Sequence, residues 1–129
     1  MSSPTFPLNS ASALEQKARE LGRIIGQSAE YQALKRSNES LTGDREAVTI
    51  LQRMEELRQN AQRMIDQGQE PTPEMERELD ELLSKVQSSM NYQRAVASQE
   101  NFDKIMLQVN AWIAEGIRSG ATSSIITLG

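Results

Sequence analysis

The sequence predicts an all-α protein, in which a long antiparallel helical hairpin with flanking N- and C-terminal helices forms a dimeric helical bundle. Good helix formers dominate the 129-residue chain, chiefly Ala, Leu, Glu, Gln, Arg and Met. Aromatic residues make up only 4% of the chain, and strand patterns are scarce. Apolar residues recur three and four positions apart along most of the sequence, which is the periodicity of amphipathic helices.

The charge and composition argue against several classes of function. The formal net charge is −4 and the basic residues are scattered, so the chain has no basic footprint for nucleic acid or for an anionic membrane. No segment approaches the roughly 20 apolar residues of a membrane span, and the first residues lack the pattern of a secretory signal. Cysteine is absent, so disulfides are not expected. We expect a cytoplasmic protein that binds neither nucleic acid nor membrane directly.

The chain also contains no histidine, and this absence restricts its chemistry further. Without thiolate or imidazole ligands, the chain alone cannot build the ordinary zinc, haem or iron–sulfur sites. Nucleophile pairs that depend on histidine are likewise impossible, and no convergent pair of carboxylates, lysines or tyrosines is evident. The sequence therefore predicts a protein that is not an enzyme and that holds no cofactor or metal.

The N-terminal part predicts two helices. In the first, Ser12 is a candidate N-cap, with Glu15 completing a capping box, and Gly26 ends or bends the helix. Ser28 can cap the second, whose inner side carries Tyr31 and Leu34 among others. We expect residues 1–11 to form a disordered tail before a helical domain over residues 12–118.

The middle of the chain predicts a long helix, a turn and a fourth helix. Asp44 can cap the third helix, and Gly68 follows that helix where a left-handed residue is favoured. Thr72 and Pro73 suit the N-cap and first position of the fourth helix. These residues indicate a structural turn, although exposed turns also serve as docking loops.

The C-terminal part predicts a short join around Asn91, with Tyr92 and Val96 turned inward, and then a fifth helix that stops at Gly120. We expect residues 119–129 to form a flexible tail. The outer face of the fourth helix carries five carboxylates, which either form a solvated surface or meet a basic partner. Methionines on the apolar stripes are core gap-fillers or, alternatively, line a groove for partner peptides.

Two long helices form one layer, and the apolar residues that flank their seam require a further cover. With 37% hydrophobic residues and few aromatics, a lone copy has little apolar surface to bury. The first and fifth helices are expected to supply some of this cover by folding back on the hairpin, and an intertwined homodimer or higher oligomer would supply the rest. The candidates for the self-association or partner interface are Val48, Leu51, Met54, Leu57, Met64, Ile65, Leu79, Leu82, Leu83, Val86 and Trp112.

The order of these motifs resembles the YlbF/YmcA family of bacterial helical regulators, which includes the YheA-like proteins. The opening half of the pattern is carried by Ala18, Glu20, Leu21, Ile24 or Ile25, Ser28, Glu30 and Tyr31. The closing segment is similar through Phe102, Val109 and Asn110. The resemblance covers roughly residues 12 to 118. It implies an all-helical, dimer-forming protein without catalysis. Iron–sulfur clusters occur in some family complexes on cysteines, and this chain has none, so that property is not carried over.

The leading hypothesis is a cytoplasmic adaptor or regulator that contacts itself and other regulatory proteins. The resemblance implies a link to competence, sporulation, biofilm formation or messenger-RNA processing by ribonuclease Y. An alternative is a helical export partner or secretion chaperone of the WXG type. Such hairpins place Trp-x-Gly at the turn, whereas Trp112 here lies far from it.

Overall fold

The computed structural model describes the backbone of residues 5–128 and the side chains of residues 11–121. The described backbone forms five helices and no strands, which confirms the predicted all-α class. The helices are α1 (Thr5–Gly26), α2 (Ala29–Thr42), α3 (Arg45–Asp66), α4 (Pro73–Gln87) and α5 (Met90–Leu128).

The three N-caps predicted for the middle helices are confirmed. Ser28, Asp44 and Thr72 each have extended backbone angles, and their side-chain oxygens accept hydrogen bonds from the backbone N–H three residues on. Each side chain therefore satisfies a donor that the first turn of its helix leaves unpaired. Short polar residues at these positions set where α2, α3 and α4 begin.

The turn between α3 and α4 also follows the prediction. Gly68 has a φ of 77°, a left-handed conformation that a residue with a side chain adopts at a cost. Gln69 donates its backbone N–H to the carbonyl of Met64 at 2.7 Å, which closes the end of α3. Pro73 occupies the first turn of α4, where its missing N–H would have had no helical partner. The local chemistry of this segment therefore ends one helix and starts the next.

Two predicted helix ends are wrong. The first helix begins at Thr5, so Ser12 lies within it and is not its N-cap. The last helix continues through Gly120 to Leu128, because a glycine weakens a helix by only about 1 kcal/mol and does not by itself end it. Met1 to Pro4 and Gly129 lie outside the described residues. The division into a domain over residues 12–118 and two tails stays a prediction.

The predicted join around Asn91 is helical in the structure. The break between α4 and α5 falls earlier, at residues 88–89, where Ser89 accepts a hydrogen bond from the backbone N–H of Tyr92 at 3.3 Å. Tyr92 is half-buried as expected, but Val96 is exposed because it falls on the outer side of the new helix. A serine cap therefore marks the start of α5 where an asparagine was expected to interrupt the chain.

The main core lies between α3 and α4. Ile50 and Met54 of α3 enclose Val86 of α4, which is completely buried. Half-buried apolar side chains surround this cluster, namely Leu51, Leu79, Leu82 and Tyr92. The two helices also contact each other at their surface, where the Arg53 guanidinium binds the carboxylate of Glu78.

The second packing layer joins α2 to α5, and this is the most extensive helix pair in the described fold. Leu34 of α2 and both Ala95 and Val109 of α5 are buried, and the rings of Tyr31 and Phe102 meet edge-on at 5.6 Å between centroids. We expected α1 and α5 to fold back over the third and fourth helices. Instead α5 packs chiefly on α2, because α2 carries its own buried stripe through Leu34 and Ser37.

Candidate interaction surfaces

The apolar stripe of α5 is buried at one end and uncovered at the other. Val109, at the covered end, is 7% exposed. Ile113 and Ile117 follow it four and eight residues later, on the same face of the helix, and they are 45% and 67% exposed. Trp112 is also exposed beside them. The stripe therefore continues beyond the part of α5 that α2 covers.

The first helix shows a similar pattern. Leu14 and Ile24 are large apolar side chains that are mostly exposed, and every described side chain from Ala11 to Arg19 is exposed. An uncovered helix of this length is marginal in water unless its apolar face packs on something. We use the name terminal-helix surface for the exposed side chains of these two segments, residues 11–26 of α1 and residues 110–121 of α5.

The accessible area of the chain agrees with this pattern. The chain exposes 10099 Å², whereas a compact protein of 14.4 kDa exposes roughly 6,800 Å² by the usual scaling with mass. Stable protein interfaces take about 800 Å² from each partner. The excess is therefore several times the area that one such interface removes.

A second surface lies between α3 and α4 near their connecting turn, and we call it the α3–α4 groove. Its volume is about 390 Å³. The lining residues are Leu57, Arg58, Ala61, Gln62, Ile65, Pro71, Met75, Glu76 and Leu79. Ile65 is 54% exposed at its edge, while Leu57 is buried at its base. The groove is therefore an open, mainly apolar depression.

The charges are divided unevenly between the two packing layers. Residues 44–88, which include α3, the turn and α4, carry eleven Asp or Glu against six Lys or Arg, a net charge of −5. The rest of the chain carries seven acidic and eight basic residues, a net charge of +1. The acidic balance of the protein therefore belongs entirely to the α3–α4 layer.

Two polar contacts fix the position of α3, one with α4 and one with the start of α5. Arg53 binds Glu78 through two hydrogen bonds, Nε to Oε2 at 2.7 Å and Nη2 to Oε1 at 2.9 Å. This pairing lowers the pKa of Glu78 and raises the pKa of Arg53 above its already high value. Asp44 accepts a hydrogen bond from Asn91 Nδ2 at 3.0 Å, which lowers the pKa of Asp44. Because the Arg53 and Glu78 side chains are exposed to water, their pairing orients α3 and α4 more than it stabilises the fold.

Among the described residues, no cluster of three or more acidic side chains has the arrangement of a metal site. None of the described helices combines the length and apolar character that crossing a membrane requires. The depressions on the described surface are open and shallow. The pKa values of Asp44 and Glu78 are lowered by a helix-cap hydrogen-bond network and by an ion pair, both of which are structural contacts. The features that the geometry does supply are apolar surfaces suited to macromolecular contact.

The structure divides the eleven predicted interface residues by accessibility. Met54, Leu57 and Val86 are buried within a single copy, where they pack α3 on α4. Five are half-buried beside them: Val48, Leu51, Met64, Leu79 and Leu82. Ile65, Leu83 and Trp112 are exposed. The structure brings the α3 and α4 residues together and leaves Trp112 apart on α5. The assignment of all eleven to an interface stays a prediction.

The predicted interface residues leave out three exposed apolar residues, Leu14, Ile113 and Ile117. Ile113 and Ile117 follow Val109 at helical spacing, so the pattern alone assigns them to a face that is covered within the chain. Leu14 falls on an apolar stripe of α1 in the same way. The missing signal was the length of α2, which at 14 residues is too short to cover the 39 residues of α5.

The described part of the chain is all-helical and leaves large apolar side chains of α1 and α5 uncovered. A family model described as control of competence regulator ComK, YlbF/YmcA, matches residues 14–118, and the chain belongs to this family. That match confirms the resemblance drawn from the sequence. The family is a regulatory or uncharacterised one and is not a known family of enzymes.

Individual relatives cover most of the chain at low identity. A UPF0342 protein of Desulfitobacterium hafniense (strain Y51) is 28% identical over 102 residues, which are 79% of this chain and 78% of the relative. A UPF0342 protein of Bacillus mycoides (strain KBAB4) is 24% identical over 72% of this chain and 80% of its own length. A UPF0342 protein of Leuconostoc mesenteroides is 22% identical over the same shares.

Proposed function

We propose that this protein is a non-catalytic regulatory adaptor of the cytoplasm that works through protein contacts, and that its working form is a homodimer. In this proposal α3 and α4 form an antiparallel hairpin, and the terminal-helix surface pairs two copies into one bundle. The family's link to the control of competence supports a regulatory role.

The exposure of the α5 stripe carries the proposal. Ile113 and Ile117 continue the line of the buried Val109, yet they face solvent in a single copy. Fully burying one such side chain contributes about 1.5–3 kcal/mol relative to exposure. A dimer that pairs through this stripe would bury both residues in each of its two chains. The gain is available without any change in the fold of either copy.

The large accessible area supports pairing with a second copy in particular. A homodimer repeats the same apolar stripe on both sides of a two-fold axis, so a surface that is apolar along its length is complementary to itself. The chain outside residues 44–88 has a net charge of only +1, so two such surfaces repel each other weakly. Self-association through the terminal helices is therefore favoured by both area and charge.

Light scattering coupled to gel filtration tests the dimer. The wild-type protein is expected at twice the 14.4-kDa chain mass. The double substitution Ile113→Glu and Ile117→Glu is expected to weaken dimerisation by about two orders of magnitude or more, because burying unpaired carboxylates costs several kcal/mol. Gln108→Glu is the matched control, since it adds a carboxylate to the opposite side of α5 and should leave the mass unchanged.

Trp112 offers an independent readout, because it is the only tryptophan in the chain. Its emission is expected to shift to longer wavelength on dilution and in the double variant, as the indole loses its cover. A wild-type mass of 14.4 kDa at all concentrations, with constant emission, would contradict the dimer.

A further inference from the structure

We propose that the α3–α4 groove binds a basic amphipathic helix of another protein, on a surface separate from the one that pairs two copies. This inference rests on the proposed function in one respect, namely that the protein acts through protein contacts. It adds where the second partner binds and which chemistry that partner must have.

The groove has the shape that a helix with spaced apolar anchors requires. Its base is the buried Leu57. Met75 and Leu79 line it from α4, and Ala61 and Ile65 line it from α3. Helices that dock in such grooves insert residues spaced at i, i+3 or i+4, and i+7. The volume of about 390 Å³ accommodates more than one such anchor.

The apolar surface continues along α4 beyond the groove. Leu83 is exposed, and it lies one turn past Leu79 on the same face of the helix. From Met75 to Leu83 the helix rises about 12 Å, which is a little over two turns of any helix docked alongside it. Two turns is the span of an i to i+7 set of anchors. The groove and its extension therefore match an amphipathic helix better than a small molecule.

Carboxylates lie beside this apolar strip. Glu76 lines the groove, and Asp80 lies one turn further along α4 on the same side. Asp66 accepts a hydrogen bond at 3.0 Å from Gln62, another lining residue. Arg58 also lines the groove, but Glu55 lies 3.7 Å from it and offsets its charge. The rim is therefore acidic.

The charge decides among possible occupants. A net charge of −5 over residues 44–88 repels nucleic acid and anionic membranes. It also repels the same layer of a second copy, which a symmetric pairing through this groove would bring close. A helix with an apolar stripe flanked by Lys and Arg satisfies both the groove and its rim, because opposite charges at an interface rim steer and orient the partner.

The test uses the full chain and a designed probe. The probe is an 18-residue fluorescein-labelled peptide with leucines at i, i+4 and i+7, and all of its charged positions are lysines. Fluorescence anisotropy is expected to give saturable binding that weakens as sodium chloride rises. Two matched peptides, one with glutamates for the lysines and one with serines for the leucines, are each expected to bind at least about tenfold more weakly.

Single substitutions on the protein locate the site. Ile65→Ser and Glu76→Lys are each expected to weaken peptide binding by about tenfold. Glu81→Lys is the matched control, because it makes the same charge change on the same helix about 140° away from Glu76. Its affinity is expected to stay within about twofold of the wild type. Circular dichroism checks that each variant keeps its helices.

Several results would overturn the proposal. The peptide could fail to bind the wild-type protein, or Glu81→Lys could weaken binding as much as Glu76→Lys, which would indicate unspecific attraction to an acidic protein. Ile65→Ser could also convert a dimer to a monomer in light scattering, which would make the groove an interface between copies. A monomeric wild-type protein that still binds the peptide at Ile65 and Glu76 would refute the dimer and leave the groove intact.

Discussion

The carboxylate of Asp44 connects the starts of α3 and α5: its Oδ1 accepts a hydrogen bond from the N–H of Ala47 at 3.1 Å, and its Oδ2 accepts one at 3.0 Å from Nδ2 of Asn91, 47 residues away in sequence. The first bond caps α3, and the second holds the beginning of α5 against it. The α2–α5 layer and the α3–α4 layer meet here. One side chain therefore takes part both in starting a helix and in placing the two layers.

This arrangement predicts a pH-dependent contribution to stability. The hydrogen bond from Asn91, and after it the bond from Ala47, lowers the pKa of Asp44 in the folded protein. Because the pKa is lower in the folded state, ionised Asp44 stabilises the fold fully at pH values above its unfolded-state pKa of about 3.9. This stabilisation is lost as the pH falls through its folded-state pKa. Asp44→Asn keeps a capping oxygen but presents an NH₂ group to Asn91, so we expect lower stability than the wild type at pH 7.

Urea unfolding at pH 7, 4 and 2.5 measures this effect. The difference in the free energy of unfolding between wild type and Asp44→Asn should be largest at pH 7 and should become smaller as the pH falls below about 4. Asp44→Ala, which loses the cap as well, should be the least stable of the three at pH 7. Asn91→Ala removes only the contact with α5 and serves as the control in a double-mutant cycle. An equal difference in the free energy of unfolding at pH 7 and pH 2.5 would refute the role of the Asp44 charge.

The methionines allow a prediction about the core. Met54 is buried against Ile50 and Val86, whereas Met90 is exposed at the start of α5. Met54→Ala is expected to lower the free energy of unfolding by about 2–5 kcal/mol, because it removes buried methylene groups and leaves a cavity. Met90→Ala is expected to change it by no more than about 0.5 kcal/mol. Equal losses in thermal or urea unfolding would contradict the packing between α3 and α4.

The local signals in the sequence predict the fold well where one residue decides the outcome. Ser28, Asp44 and Thr72 cap their helices because a short side chain reaches the backbone N–H three residues on, which depends on no distant contact. Gly68 ends α3 for a similarly local reason. Ser12 has the same chemistry but lies within α1, because helical residues continue before it. A capping pattern therefore predicts a possible start, and the flanking residues decide whether it is used.

The packing partners could not be predicted in the same way. An apolar stripe indicates which face of a helix is buried but does not identify the helix that covers it. Both α1 and α2 carry such stripes, and the structure pairs α2 with α5, where the rings of Tyr31 and Phe102 meet. The exposure of Ile113 and Ile117 follows from this pairing and from the short length of α2. Neither residue differs in sequence from an ordinary core position.

Gly68 and Gly22 both have room for a side chain but differ in backbone conformation, so alanine at the two positions should change the free energy of unfolding in opposite directions. Gly68 has a φ of 77°, and a Cβ added there would meet no atom within 4 Å. Gly68→Ala is therefore expected to cost about 1–2 kcal/mol through the left-handed backbone alone. Gly68→Asn should cost less, since asparagine tolerates that conformation. Gly22 is equally open but lies in ordinary helical backbone within α1. Gly22→Ala is expected to stabilise that helix by up to about 1 kcal/mol. Unfolding curves that moved the same way for both alanine variants would show that the turn after α3 is not held in the left-handed conformation.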